Sequence, residues 1–194
     1  MQQFQMLFPG GKAKALTLSY DDGVEQDLRL IELMKQHGVK GTFNLNSSLF
    51  APEGKVYPAG QIHRRMSRAQ CLEAYDNEYC EVALHGANHS FLQAQPTALA
   101  MHEVITDRLQ LEEMYGRTIR GMAYPYGTYS DAVVDILRLA GVAYSRTTQS
   151  HLNFRLPEDY LRWGATCHHK NAALMDLCDA FLGDVPRNEY PRLF

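Results

Sequence analysis

Short apolar stretches of the chain alternate with stretches in which hydrophobic residues recur at helical spacing. The apolar stretches predict five strands: Ala15–Tyr20, Lys40–Asn46, Glu81–His85, Ile119–Ala123 and Val142–Arg146. The helical spacing predicts helices over Val24–His37, from Ser67 to Tyr75, from Pro96 to Gly116, over Asp131–Ala140 and over Lys170–Leu182. Strands and helices that alternate in this way favour the α/β class, with a parallel sheet covered by helices, either open or closed into a barrel.

Two of these helices carry signals at their ends. Gly38 follows the first helix, where a glycine can adopt the left-handed conformation that stops a helix. Ser67 and Gln70 have the spacing of a capping box, which satisfies free backbone N–H groups at a helix start. These signals predict where the first and second helices end and begin.

Length and charge narrow the class of protein. A chain of 194 residues fits one domain, residues 1–194. Nineteen Lys and Arg residues against 22 Asp and Glu give a net charge of −3, which argues against a nucleic-acid partner.

The sequence has no apolar run near the roughly 20 residues that a membrane helix needs. It also has no visible signal peptide, so we expect a cytoplasmic protein without a membrane partner. The oligomeric state is left open.

One stretch departs from the alternation. Ser47–Met66 follows the second predicted strand and has no periodic pattern. Long irregular segments inside a compact domain are usually functional or disordered. Its basic run, His63-Arg64-Arg65, is expected to be a solvated face, and the alternative is a lid or groove wall beside an active site.

Polar clusters follow three of the predicted strands. They are Ser19–Gly23 after the first strand, His85–Ser90 after the third and Tyr124–Gly127 after the fourth. Because the carboxyl ends of parallel strands share one face of the fold, we expect these clusters to be neighbours in space. Taken singly, each could be a turn or a packed histidine.

The residue types in these clusters suit a metal site. Two histidines four residues apart, with a carboxylate from another strand, form the three-ligand set of catalytic zinc. Zinc would lower the pKa of a water molecule to near 7. The other aspartate of the Asp21-Asp22 pair would then act as general base. Gly23 would let the chain turn sharply after the pair.

Between residues 15 and 165 the sequence resembles the polysaccharide deacetylase family, also called the NodB homology domain or carbohydrate esterase family 4. Ser19–Gly23 is similar to the family's TFDDG motif, and His85–His89 is similar to its HxxxH motif. Tyr124–Gly127 is similar to the core of its RxPYG motif. The resemblance implies a distorted (β/α) barrel.

The resemblance also implies roles for individual residues. Asp22, His85 and His89 would hold a divalent metal ion, with Zn²⁺ as the expected ion, and Asp21 would be the catalytic base. The backbone N–H of Tyr126 would stabilise the oxyanion. Substrate would contact Tyr124, Pro125 and Trp163, the last of which would line the acetyl pocket. The implied reaction is hydrolysis of an acetamide to acetate and a free amine.

The sequence departs from the family at the arginine that orients the base. Ala123 stands where the RxPYG motif has this arginine, and Arg162 stands where the fourth motif has its second aspartate. We therefore hypothesise that Arg162 supplies the guanidinium to Asp21, with Arg120 as the weaker alternative.

A second departure concerns the family's last motif, whose histidine acts as general acid. The chain ends at Tyr190–Phe194, which resembles the start of that motif's strand, so the barrel is expected to be incomplete at its C-terminus. His168 and His169 are alternative candidates for the acid.

Three hypotheses about function follow. The first is a metal-dependent hydrolase that removes N-acetyl groups from amino sugars or saccharides. The second keeps the fold and the metal but acts on another small amide or acetyl ester. The third is a non-catalytic saccharide-binding module. An iron oxygenase with two histidines and a carboxylate is disfavoured, since such enzymes usually need a β-rich barrel.

Overall fold

A curled sheet of six parallel strands forms the centre of the fold. The computed structural model describes residues 7–183 and the backbone of residues 192–193. The sheet strands are β2 (Leu18–Asp21), β3 (Gly41–Leu45), β4 (Cys80–Leu84), β5 (Gly121–Ala123), β6 (Tyr144–Ser150) and β7 (Trp163–Ala165). They lie side by side in chain order, and the sheet curls into a half-barrel. This confirms the predicted distorted (β/α) barrel.

Five α-helices accompany the strands in the part of the chain that the structure describes. They are α1 (Gln26–His37), α2 (Arg68–Tyr75), α3 (Thr97–Tyr115), α4 (Asp131–Leu139) and α5 (Leu174–Leu182). The main core comprises buried side chains of the sheet and of α1 to α4, including Phe43, Leu84, Leu111 and Leu137. None of the helices in the described residues has both the length and the apolar composition needed to cross a membrane.

The predicted strands are present, with differences at their ends. The first is interrupted at Thr17, so that Ala15–Leu16 forms a separate strand, β1. β6 starts two residues later than predicted and runs four residues further, to Ser150. The short strand β7 was missed, because three residues carry too little periodicity to detect; it becomes a strand by pairing with β6.

The predicted strand at the C-terminus lies partly outside the described residues. Within Tyr190–Phe194, the structure describes Arg192–Leu193, which form β8. β8 pairs in parallel with β1, and Ala15 lies opposite Arg192. The two strands form a small second sheet.

The helix-end signals are confirmed. Gly38 has a φ of 65° and its N–H donates to the Met34 carbonyl, which ends α1. Ser67 accepts from the N–H of Gln70, and the Gln70 side chain accepts from the N–H of Ser67, which completes the capping box of α2. These local interactions need no tertiary partner, so the sequence is enough to place them.

Candidate metal and catalytic site

Three side chains meet where β2 and β4 end at their carboxyl edges. Asp22 follows β2, while His85 and His89 lie in the turn that follows β4. Their potential ligand atoms, one carboxylate oxygen and two imidazole nitrogens, all lie within 4.8 Å of one another. The structure therefore brings the Ser19–Gly23 and His85–Ser90 clusters next to each other, as the sequence predicts.

The ring of His85 is fixed in one orientation. Its Nδ1 lies 2.8 Å from the carbonyl oxygen of Ala123. Because a carbonyl only accepts hydrogen bonds, Nδ1 carries a proton, and Nε2 is the ring nitrogen that faces the site. The carboxylate of Asp107, on α3, accepts a hydrogen bond from the backbone N–H of His85 at 2.9 Å. A buried imidazole that is held in one orientation is suited to bind a metal ion.

The surroundings of His89 favour the neutral form of its ring. Burial, followed by the neighbouring His85, lowers the pKa of His89 below its ordinary value. Its Nε2 lies 3.9 Å from Oδ1 of Asp22. A lower pKa means that fewer protons compete with a metal ion for this nitrogen near neutral pH.

Two of the three candidate ligands have left-handed backbone conformations. Asp22 has a φ of 79° and His89 a φ of 51°. For residues with a Cβ such a conformation costs about 1–2 kcal/mol, so surrounding interactions must hold it. The N–H of Asp22 donates to the Asn44 carbonyl at 2.9 Å, and Gly23 continues the turn with a φ of 64°. A side chain on Gly23 would press on Leu45 at 3.1 Å.

Arg65 and His63 hold the side chain of Asp22. The Arg65 guanidinium lies 2.6 Å from one carboxylate oxygen, and His63 Nε2 lies 3.0 Å from the other. The expectation that His63-Arg64-Arg65 forms a solvated face is wrong for Arg65, whose side chain is 18% exposed, while His63 is exposed and still reaches Asp22. Their segment passes beside Asp22, and the alternative of a wall next to the site is the better description.

The neighbouring carboxylate, Asp21, is held from the other side. Arg146 of β6 pairs with its Oδ1, and the Asn44 amide donates to the same oxygen at 2.9 Å. Burial raises the pKa of Asp21, but His85, Arg146 and the hydrogen bonds outweigh it, so the pKa lies below its ordinary value. Asp21 is therefore ionised at neutral pH, as a general base must be.

The hypothesis that Arg162 orients Asp21 is wrong, because Arg146 makes this contact. Arg162 instead donates to Asp131 at 2.8 Å and lies 3.4 Å from Asp159. Arg146 lies beside Ala123 in the register of β5 and β6. The guanidinium therefore comes from the strand next to the one on which the resemblance placed it, and Arg120 is not needed for this contact.

The three residues of the Tyr124-Pro125-Tyr126 turn lie in different surroundings. Tyr124 is 2% exposed and donates to the Leu161 carbonyl at 2.7 Å, so its side chain is packed inside the fold, and its contact with substrate stays a prediction. Pro125 is buried under the histidine turn, where a side chain on Gly86 would approach it to 3.2 Å. Tyr126 is half exposed, and its ring packs edge-on against His89. Its backbone role at the oxyanion stays a prediction.

Trp163, His168 and His169 are the remaining candidate residues of the site. Trp163 packs edge-on against Tyr144 and Tyr160, and its predicted role in the acetyl pocket stays a prediction. His168 and His169 line a cavity of about 290 Å³ that also contains Asp21 and Arg146. Burial, His168 and Lys170 lower the pKa of His169, which favours a neutral ring and thus a poor proton donor.

The donor set of Asp22, His85 and His89 fits a divalent metal ion. Two imidazole nitrogens and one carboxylate oxygen are ligands that zinc accepts, and three protein ligands leave a position for a substrate or water. Other first-row metals accept the same set, so the choice of ion is not fixed by these residues alone.

Several residues of the site were missed from the sequence: Arg65, Arg146, Asn44, Asn46 and Asp107. Arg146 had a detectable signal, since it is a charged residue at the end of a predicted strand. Arg65 had a weaker one, as part of a basic run in an irregular segment. The two asparagines and Asp107 had none, because ordinary strand and helix patterns contain such residues.

A comparison with family models finds polysaccharide deacetylase, matched over residues 9–145. A search of curated proteins returned no match. Among solved structures, the deacetylase PplD of Streptococcus pyogenes in complex with acetate has a TM-score of 0.61 at 20% identity. IcaB of Ammonifex degensii has a TM-score of 0.57 at 23% identity. A CE4 family pseudoenzyme of Bacillus anthracis has a TM-score of 0.53 at 20% identity.

These structures share the fold over part of their length. The matches cover 73% of this chain and 58% of PplD, 66% of this chain and 57% of IcaB, and 71% of this chain and 44% of the pseudoenzyme. The family match covers most of the chain and includes all three polar clusters at the strand ends. The chain therefore belongs to the polysaccharide deacetylase family.

Proposed function

We propose that this protein is a metal-dependent hydrolase that removes N-acetyl groups from amino sugars or saccharides. The observation that carries the proposal is the position of Asp21 beside the Asp22, His85 and His89 donor set. Oδ2 of Asp21 lies 3.8 Å from Nε2 of His85, and Arg146 keeps the carboxylate ionised. Metal-dependent hydrolysis of an amide requires a metal site next to an ionised base.

Each group has a separate task in the proposed reaction. Asp22, His85 and His89 would hold the metal ion, which when bound supplies Lewis acidity for a water molecule and a carbonyl. Asp21 accepts the proton of the attacking water. The backbone N–H of Tyr126 is the candidate donor to the oxyanion. The carbon–nitrogen bond then breaks, and acetate and a free amine leave.

The leaving amine needs a proton. His169 is a poor source, since its lowered pKa favours the neutral ring. Asp21 becomes a strong acid once it has accepted the proton of water, because its own pKa lies below the ordinary value. We therefore assign the return of this proton to Asp21, which makes it both base and acid.

An exposed aromatic pair supports a saccharide as the substrate. The rings of Phe91 and Tyr126 stack at 3.8 Å with an interplanar angle of 8°, and Tyr126 also contacts His89. Both side chains are almost half exposed. Flat aromatic faces attract the C–H groups of a sugar ring, so this pair suits a ring held next to the metal ligands. A small amide or acetyl ester would gain less from it.

A binding module without catalysis is the second candidate. The similarity to a CE4 family pseudoenzyme is the observation that favours it. The two candidates differ in their need for Asp21: a binding module keeps its ligand when this base is removed and never releases acetate.

Metal content and acetate release together test the proposal. The wild type should hold one zinc-like ion per chain and release acetate from N-acetylated sugar oligomers. His89→Ala should lose both the ion and the activity. Asp21→Asn should keep the ion but lose turnover by about 10²–10⁴-fold, the usual contribution of a general base.

His102→Ala serves as the matched control, because His102 is an exposed histidine on α3. It should behave as the wild type in both measurements. An ion in the wild type without acetate release from any acetylated saccharide, amide or ester would favour the binding module. No ion after reloading would remove the proposed mechanism.

A further inference from the structure

The irregular segment after β3 packs against the turn that carries Asp22. Near its end the segment forms an antiparallel bridge between Arg65 and Val24, and the N–H of Met66 donates to the Gly23 carbonyl at 2.8 Å. The segment is therefore attached by its backbone to the two residues that follow Asp22. This attachment fixes where the Arg65 side chain begins.

The guanidinium of Arg65 reaches three acceptors at once. Its Nη2 donates to Oδ1 of Asp22 at 2.6 Å, and its Nη1 donates to the Asp22 carbonyl at 2.9 Å. The same Nη1 donates to Oδ1 of Asn46 at 2.9 Å. Less than a fifth of the Arg65 side chain is exposed. One side chain thus holds both the carboxylate and the left-handed backbone of Asp22.

Asn46 continues this network to the histidine turn. It is 1% exposed, and its amide donates to the carbonyls of His85 and Gly86 at 2.6 and 2.7 Å. The path from Asp22 through Arg65 and Asn46 to His85 therefore joins the two turns that carry the candidate ligands. The planar guanidinium suits this position, because it can donate in several fixed directions.

We propose that Arg65 is a positioning residue for metal binding, which sets the spacing between the Asp22 turn and the His85 turn. The proposal rests on the metal site of the proposed function. It makes the segment between β3 and α2 a structural part of that site. Arg65 acts through its hydrogen bonds to Asp22 and Asn46.

Charge and geometry have opposite effects at this position. A guanidinium beside a cation site repels the cation, so its removal would tighten metal binding if charge dominated. If positioning dominates, removal would weaken binding because the two turns lose their common hydrogen-bond partner. Arg65→Met removes both the charge and the hydrogen bonds. Arg65→Lys keeps the charge but loses the planar guanidinium, which donates in several fixed directions.

Zinc affinity of the full chain is the deciding measurement. The metal-free wild type and each variant are titrated with Zn²⁺ in competition with a chromophoric chelator at fixed pH. We expect Arg65→Met and Arg65→Lys to bind zinc roughly 10–100-fold more weakly, the usual effect of losing a partner of a metal ligand. Thermal unfolding of the metal-free proteins checks that the variants fold.

Arg64→Met is the matched control. Arg64 is the preceding arginine of the same segment, but its side chain pairs with Glu25 at 2.6 Å, away from the ligands. It should bind zinc with the affinity of the wild type. A weakened Arg64→Met would show a general effect of the segment and would overturn the specific role of Arg65.

Two other results would also overturn the proposal. Arg65→Met that binds zinc as tightly as the wild type, or more tightly, would show that positioning is not the dominant effect. An Arg65→Lys variant with the zinc affinity of the wild type would show that the planar guanidinium is unnecessary. If the wild type itself binds no zinc, the proposed function fails together with this role, which separates that failure from the others.

Discussion

Asp21 and Asp22 are adjacent in the sequence but are held by different elements of the fold. Asp21 ends β2 and pairs with Arg146 on β6, a strand of the central sheet. Asp22 has a left-handed backbone and pairs with Arg65, which lies in an irregular segment. A base must point in one direction with its charge intact, whereas a metal ligand must keep a distance to other ligands. Arg146 on the central sheet orients the base, and Arg65 in the irregular segment holds the metal ligand in position.

The difference shows that one guanidinium is not equivalent to another at this site. Arg146 donates to Asp21, to the hydroxyl of Ser19 at 2.8 Å and to the carbonyl of Thr147 at 3.3 Å, so the two side chains that it holds both belong to β2. Arg65 links two separate turns. Loss of Arg146 should therefore change the proton chemistry and leave metal binding intact, while loss of Arg65 should do the reverse.

Arg146→Met tests the Asp21 half of this comparison, and its expected effect is larger than those of Asp107→Asn and Arg162→Ala. Turnover should fall by roughly 10–100-fold with zinc content unchanged. Without the guanidinium the pKa of Asp21 rises towards its ordinary value, so the acid limb of the kcat/KM profile should move to higher pH. Acetate release as a function of pH, together with elemental analysis, measures both effects. An unchanged pH profile would show that Arg146 does not set the pKa of the base.

Asp107→Asn tests the support under the His85 turn, with an intermediate effect. Asp107 is buried and accepts the backbone N–H groups of Ser47 and His85 at 2.8 and 2.9 Å. Burial raises its pKa to about 7 in the folded protein. Because this pKa lies above that of the unfolded chain, near 4, its contribution to stability is full below about pH 4. The contribution is lost as the pH rises to about 7.

Urea unfolding of the metal-free protein between pH 4 and 8 measures this loss. The free energy of unfolding of the wild type should include a fall of up to about 1.4 kcal/mol per pH unit from Asp107. Asp107→Asn should lack this part of the slope. Asp135→Asn, which changes an exposed carboxylate of α4, should keep it. A slope that is the same in all three proteins would contradict the prediction.

Arg162→Ala has the smallest expected effect and tests whether Arg146 alone serves Asp21. Arg162 pairs with Asp131 and Asp159, and the Asp131 side chain is 90% exposed. Exposed ion pairs contribute about 0–1 kcal/mol, so stability should change little and turnover should stay unchanged. A large loss of turnover with normal metal content would revive the hypothesis that Arg162 acts on the base.

The candidate ligands could be predicted from the sequence, but the groups that hold them could not. Asp22, His85 and His89 follow strands, and parallel strands bring their carboxyl ends to one edge whatever the details of packing. Arg146 and Arg65 act only because their strand or segment passes beside the aspartates. The choice of Arg162 over Arg146 failed for this reason, since it depended on motif position and not on strand register.

The sequence by itself determined the alternation of strands and helices, the helix ends at Gly38 and Ser67, and the edge at which the polar clusters meet. These features depend on local backbone preferences and on the periodic burial of apolar residues, both of which are readable along the chain. Only the tertiary structure decided which guanidinium contacts which aspartate, that Tyr124 is buried, and that Arg65 joins two turns. Such contacts depend on register and on the path of an irregular segment, and neither leaves a periodic pattern in the sequence.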